Sequence, residues 1–234
     1  MWNVECGMLI EKCGMGNEMK MHKDKWLRMI TLSFLICQLS FCFSACSEDD
    51  DETSSEYENW EARNDVFFAA LEDSLANGSG TWMKFKCYSR NPSISVGSNL
   101  DYIYAKVVPT GYERPAETES PLFNDSVRIS YEGRLIPTVS EPEGKIFDST
   151  VFGTYNLRTN ATRRMRVSSL VEGLSTALIR MHRFDTWRIY IPWKLGYGSS
   201  DDGSIPGYST LVFTVTLYDI AAEGYSLPNQ VGVN

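Results

Sequence analysis

The sequence predicts an α+β roll, a curved antiparallel sheet around one short helix, with a helical extension ahead of it. Two observations carry this. Apolar and polar residues alternate in four well-separated runs, at 100–108, 127–135, 187–192 and 211–217, the period-two pattern of half-buried strands. Between the second and third lies one run with helical spacing, at 173–183, which puts Leu174, Ala177, Leu178 and Met181 on one face. Strands that gather around a single helix of this kind make a layered α+β arrangement.

Taken in order, the chain begins with segments that do not belong to that domain. Residues 1–18 have no evident role, and the start reads as Met19 or Met21. Lys20, Lys23, Lys25 and Arg28 then precede the uncharged run 29–45, which ends Phe43-Ser44-Ala45-Cys46. A basic start, an apolar run and small residues at its end describe a secretory signal over 19–45. The end of the run resembles a bacterial lipobox, which implies that Cys46 becomes the acylated N-terminus. The competing reading is an uncleaved membrane anchor, since the run approaches spanning length. Residues 46–55 hold an acidic stretch from Ser47 to Glu52, a solvated tether that also resembles the surface-export signal of Bacteroidetes lipoproteins. These features predict an outer-membrane lipoprotein facing the periplasm or the cell surface.

Composition narrows the function. The 234 residues are 43% hydrophobic and 12% aromatic, enough for one good core. Five of the 22 Lys and Arg and four of the 30 Asp and Glu precede Cys46, so the chain from there on carries a net charge of −9. A basic face for nucleic acid is therefore not expected, nor is a basic patch to assist membrane binding. Five of six cysteines lie at or before Cys46, leaving only Cys87 in the body. That excludes an intramolecular disulfide framework after processing, and Cys87, His182 and the acids show no metal-ligand spacing. Neither a cofactor nor a metal is predicted.

The segment 56–99 reads as the helical extension. Trp60, Val66, Phe67, Ala70 and Leu71 recur at helical spacing, predicting a helix over 56–75 that stops near Asn77-Gly78. Its stripe packs on the domain or on a neighbouring helix, and the second option would make a homodimer. Residues 82–88 alternate weakly, as a short strand or the start of a loop. The domain proper is expected over 100–222, with its first strand at 100–108, a loop at 109–124 and a short tail at 223–234.

Three blocks in the domain carry more than periodicity. Residues 127–150 read VRISYEGRLIPTVSEPEGKIFDST, residues 170–178 read LVEGLSTAL, and residues 191–217 contain IPWKLGYG, GSIPGYSTLVF and VTL. In this order and spacing they resemble the FKBP-type peptidyl-prolyl cis–trans isomerases. The resemblance implies that family's roll and an apolar pocket for a proline-containing segment. Tyr131, Phe147, Val171, Ile205 and Phe213 would form its walls and Leu174 its floor. Asp148 would be the pocket carboxylate, Tyr197 a hydroxyl that donates to a ligand carbonyl, and the Val171 N–H a second donor, with Tyr208 flanking the loop. Leu174 departs from the pattern, since the family usually has a Trp there. Ser204 departs too, standing where many members have a second apolar loop residue.

The chemistry suits such a pocket. An X-Pro bond rotates over a barrier of about 18–20 kcal/mol. Water solvates the planar amide dipole, so an apolar cavity that strips this solvation and accepts a twisted amide lowers the barrier without a nucleophile or metal. Each residue also has a structural reading. Aromatics at 131, 147 and 213 fit a strand core, Asp148 fits a turn cap, and Tyr197 between two glycines fits a loop anchor. Two functions therefore compete: a prolyl isomerase, and a binding module that keeps the pocket with little turnover.

Overall fold

The computed structural model describes residues 56–78, 81–91, 93, 98–111 and 119–227. The signal, Cys46 and the acidic tether lie outside the described residues. A compact unit runs from Thr53 to Asn234.

Within it, helix α1 (Trp60–Asn77) is followed by strands β1 (Trp82–Lys86), β2 (Tyr102–Val107), β3 (Ser126–Arg134), β4 (Ile146–Ser149) and β5 (Arg163–Arg166). Helix α2 (Glu172–Leu178) precedes β6 (Thr186–Ile191) and β7 (Leu211–Ala221). All seven strands form one antiparallel sheet in the order β1-β2-β6-β7-β3-β4, with β5 also paired to β3. β4 pairs with Glu132–Arg134 and β5 with Ser126–Ile129, so the two short strands lie end to end along one edge of β3. β1 belongs to the sheet, on the N-terminal side of residue 100, and the strand expected first is the second.

The three long strands match the alternating runs, and β7 continues four residues past Leu217. It is buried almost throughout because both faces of the sheet are covered. On the concave side α2 presents Leu174, Ala177 and Leu178 to Ile103, Ile129, Ile189 and Val215 in the main core. A Cβ at Gly173 would lie 2.3 Å from Ile191 Cγ2, so only glycine lets the first turn of α2 come this close to β6. The helix is shorter than the periodicity suggests. The Arg180 N–H already bonds the Ala177 carbonyl, and the Met181 N–H bonds both Ala177 and Leu178. This tightening ends the α-helix but keeps Met181 in the core.

On the convex side α1 sets Phe68 and Leu71 against Tyr104, Tyr190 and Val212. The buried residues of α1 are Trp60, Asn64, Phe68 and Leu71; Trp60 and Leu71 belong to the expected stripe and Phe67 packs against the core, whereas Val66 and Ala70 do not. Val66 is 71% exposed, and Ala70 is exposed as well. Asn64, which reads as solvated, is buried because its Oδ1 accepts from the Thr210 N–H at 2.7 Å. The polar loop between β4 and β5 docks on this side through hydroxyls rather than apolar contacts. The Tyr155 hydroxyl meets that of Thr216, and the Tyr218 hydroxyl donates to the Leu157 carbonyl at 2.6 Å.

Candidate functional site

The concave face of β3 and β7, the edge strand β4 and the loop before β7 converge on a small set of aromatic rings. Tyr131 and Phe213 project from paired central strands, with ring centroids 6.2 Å apart. Phe147, from β4, meets Phe213 edge to face at 5.4 Å and Tyr197 at 6.5 Å. The gap beneath Phe147 and Phe213 is closed by Gly133, where a Cβ would sit 2.6 Å from Phe147 Cζ and 2.8 Å from Phe213 Cε1. Edge-to-face packing of this kind aligns positive ring edges with negative faces and fixes the rings.

Exposure grades across the set. Tyr131, Leu174, Ile205 and Phe213 are buried, while Phe147 and Val171 are half-buried and packed against them. Tyr197 and Asp148 are open to solvent. The arrangement is a packed apolar cluster, half-open at Phe147 and Val171, with a polar rim. Ile205 is held by a two-residue bridge in which Asp202 and Ile205 exchange backbone hydrogen bonds at 2.9 and 3.0 Å. Leu174 sits on the first turn of α2 and is 4% exposed, so its isobutyl group is enclosed. Val171 is the residue that starts α2, with extended ψ of 145°. As an N-cap its N–H stands outside the helix ladder.

The rim has a defined electrostatic order. The Tyr131 hydroxyl donates to Asp148 Oδ2 at 2.5 Å. Arg163 donates to the Tyr131 oxygen at 2.6 Å and pairs with Asp148 at 3.4 Å. Burial first, and then the bond to Asp148, push the Tyr131 phenol well above its usual pKa, with Arg163 opposing. Burial also raises the Tyr197 phenol, followed by the nearby Asp202 and Asp148 carboxylates. Both phenols therefore remain protonated donors throughout the physiological range.

Of the residues singled out in the sequence, Tyr131, Phe147, Tyr197 and Phe213 are joined by ring contacts and Asp148 by the bond from Tyr131. Val171, Leu174 and Ile205 lie in or against the main core that these rings share, and Tyr208 packs on Trp193. Arg163 was not among them. It reaches the rim because it pairs with Ile129, two residues along from Tyr131 on β3, a diagonal that a long side chain can cross. The run Arg163-Arg164-Met165-Arg166 has no alternation that would set its register in advance. Volume does not mark the site: a cavity of about 750 Å³ lies elsewhere, between Phe85, Val107, Ile179 and Trp187.

Comparison with known proteins gives the arrangement its family. Residues 117–218 match the model of the FKBP-type peptidyl-prolyl cis-trans isomerases. The chain is 36% identical to the peptidyl-prolyl cis-trans isomerase Mip of Coxiella burnetii over 103 residues, 44% of this chain and 40% of that protein. It is 33% identical to the macrophage infectivity potentiator of Trypanosoma cruzi over 112 residues, 47% and 51% of the two chains. The chain thus spans about half the length of the curated relatives it matches. Among solved structures, FkpA from Escherichia coli aligns with a TM-score of 0.49 and 20% identity, over 88% of this chain and 92% of that one. The domain matched at residues 117–218 belongs to the FKBP-type peptidyl-prolyl cis-trans isomerase family.

Proposed function

We propose that this protein is a peptidyl-prolyl cis–trans isomerase that acts on proline-containing segments of envelope or surface proteins. The observation that carries the reading is the ring set Tyr131–Phe213–Phe147–Tyr197 with an ordered polar rim. The prolyl ring would rest against the rings of Tyr131, Phe147 and Phe213, over Leu174. Burying the amide there removes the water that favours its planar, charge-separated form. The Tyr197 hydroxyl and the Val171 N–H would hold ligand carbonyls and orient the segment, while the group on one side of the X-Pro bond stays free to turn. Asp148 is already engaged by Tyr131 and Arg163, and its role would be to hold the phenol ring and the rim in place. No proton transfer is needed.

The test is a protease-free proline-isomerisation assay on the purified protein, with Asp148→Ala and Phe147→Ala beside the wild type. Phe147→Ala costs about 3–5 kcal/mol where a ring is only core, so unfolding is measured for each variant. A rate loss well beyond the stability loss supports the pocket, and parallel losses demote both residues to structure. The competing function is a proline-segment binding module with little turnover. It is favoured by one feature, the enclosed leucine at 174 in place of an indole. Micromolar binding of a proline peptide without acceleration would decide for it.

We also propose that the domain is tethered to the outer membrane through an acylated Cys46. No helix among the described residues is long and apolar enough to cross a membrane. Cys46→Ala should release the protein from the membrane fraction and abolish labelling by a fatty-acid analogue, whereas retention without label would indicate an uncleaved anchor. Phe68 and Leu71 of α1 lie against its own sheet, so a homodimer through this helix would need a different face.

A further inference from the structure

We propose that the groove between the start of α1 and the 199–208 loop is a second subsite, which takes an apolar or aromatic residue of the polypeptide flanking the target proline. The inference rests on the isomerase-pocket reading above and extends it. The groove encloses about 550 Å³, with Tyr57 and Trp60 on the helix side and Pro206 and Tyr208 on the loop side. That volume is in the range that holds a small ligand or a few residues.

One feature makes it continuous with the prolyl recess. Ile205 lies on the wall of both. A polypeptide leaving the recess past Ile205 therefore passes this groove.

The walls are fixed to each other. The buried Trp60 indole N–H donates to Ser209 Oγ at 2.8 Å, and that hydroxyl donates to the Pro206 carbonyl at 2.6 Å. One turn along, Asn64 accepts from the Thr210 N–H. The helix thus holds the loop that carries Ile205.

The occupant follows from what the groove offers. Over 205–208 the Ile205 N–H bonds Asp202 O, Pro206 has no N–H, Gly207 bonds Asp201 Oδ1 and Tyr208 bonds Gly198 O. Strand addition along this stretch has no backbone donor to use, so recognition there falls to side chains. The rim mixes Glu61 and Asp201 with Lys145, which selects weakly by charge. The aromatic walls remain, and they favour an apolar or aromatic side chain.

The experiment compares two fluorescent peptides, a four-residue X-Pro peptide and a ten-residue one with Phe two to four residues from the proline on either side. Binding is read by anisotropy and turnover by the isomerisation assay. Wild type should bind the long peptide at least fivefold more tightly. Tyr57→Glu, which places a charge in the apolar wall, should remove that advantage and leave turnover of the short peptide within twofold. Tyr57→Leu should keep it. Glu61→Trp, at an exposed helix position, fills the groove without entering the core and should also remove the advantage, which covers the case that Tyr57→Glu folds poorly. Equal binding of the two peptides by wild type would overturn the subsite, as would parallel loss of both in the groove variants. If the short peptide is not turned over and the long one still binds in a Tyr57-dependent way, the subsite stands and the isomerase reading fails.

Discussion

Gly133→Ala tests the site through three atoms. Its φ lies outside the left-handed region, so alanine fits the backbone, and in a strand interior the change alone would stabilise by roughly 0.5–1 kcal/mol. The new methyl would lie 2.6 and 2.8 Å from Phe147 Cζ and Cε2 and 2.8 Å from Phe213 Cε1. Carbon atoms rest at about 3.5–4.0 Å, so the rings must retreat by roughly 1 Å. Overpacking a fixed core costs about 1–3 kcal/mol. Phe213 sits on the central strand and cannot move far, but Phe147 is half-buried on an edge strand and can swing outwards. The two terms then nearly cancel, and we expect a net stability loss of only about 0–2 kcal/mol. Catalysis has no such compensation: a displacement of about 1 Å can cost on the order of a hundredfold in rate. The assay is kcat/KM on a proline peptide, with urea unfolding on the same preparation. Wild-type kcat/KM at unchanged stability would refute the reasoning, because the methyl would then have displaced neither ring from a working position.

Three further outcomes follow from the same geometry. Leu174→Trp restores a flat floor and should raise kcat/KM about tenfold, the equivalent of about 1.4 kcal/mol of transition-state binding; a stable variant no faster than an inactive wild type would favour the binding module. Arg163→Gln removes a half-exposed pair with Asp148, so stability should change by no more than about 1 kcal/mol, while the Tyr131–Asp148 rim loosens and kcat/KM falls several-fold; unchanged kinetics would make Arg163 a solvated charge. Tyr88, Tyr104, Tyr131, Tyr190, Tyr197 and Tyr218 all have phenol pKa values raised above 10.0, chiefly by burial. Above pH 10 the unfolded chain therefore releases protons that the folded one keeps. Stability should be intact below about pH 10 and fall as pH rises beyond it, which Tm against pH would show, and a flat Tm through pH 11.5 would contradict the burial of these rings.

The sequence disclosed most about the elements whose partners lie on both sides. β3, β6 and β7 are buried between two layers, so β-branched and aromatic residues mark them, and the blocks at 127–150 and 191–217 bring with them the residues of the recess. β1 was harder to read because every one of its residues is half-buried. It stands at the sheet's edge, where neither face imposes a clean alternation. α1 was readable as a helix, with Trp60, Phe67 and Leu71 on its packed face, but Asn64 and Phe68 were not. Its stripe is set by Trp60 and Asn64, which bond Ser209 and Thr210 almost 150 positions away, and no local pattern encodes a partner at that distance. Arg163 was hidden for a related reason: β5 and β4 share one edge of β3, and only the register with Ile129 decides which charge reaches Tyr131. The unread features are the ones that surround the recess rather than line it. Residues that line a pocket must satisfy packing and chemistry together, which leaves a motif. Residues that hold it in place need only satisfy one contact, which another residue type could make from another position. That difference explains why the helix-to-loop clamp and the Arg163 rim emerge only when the chain is folded.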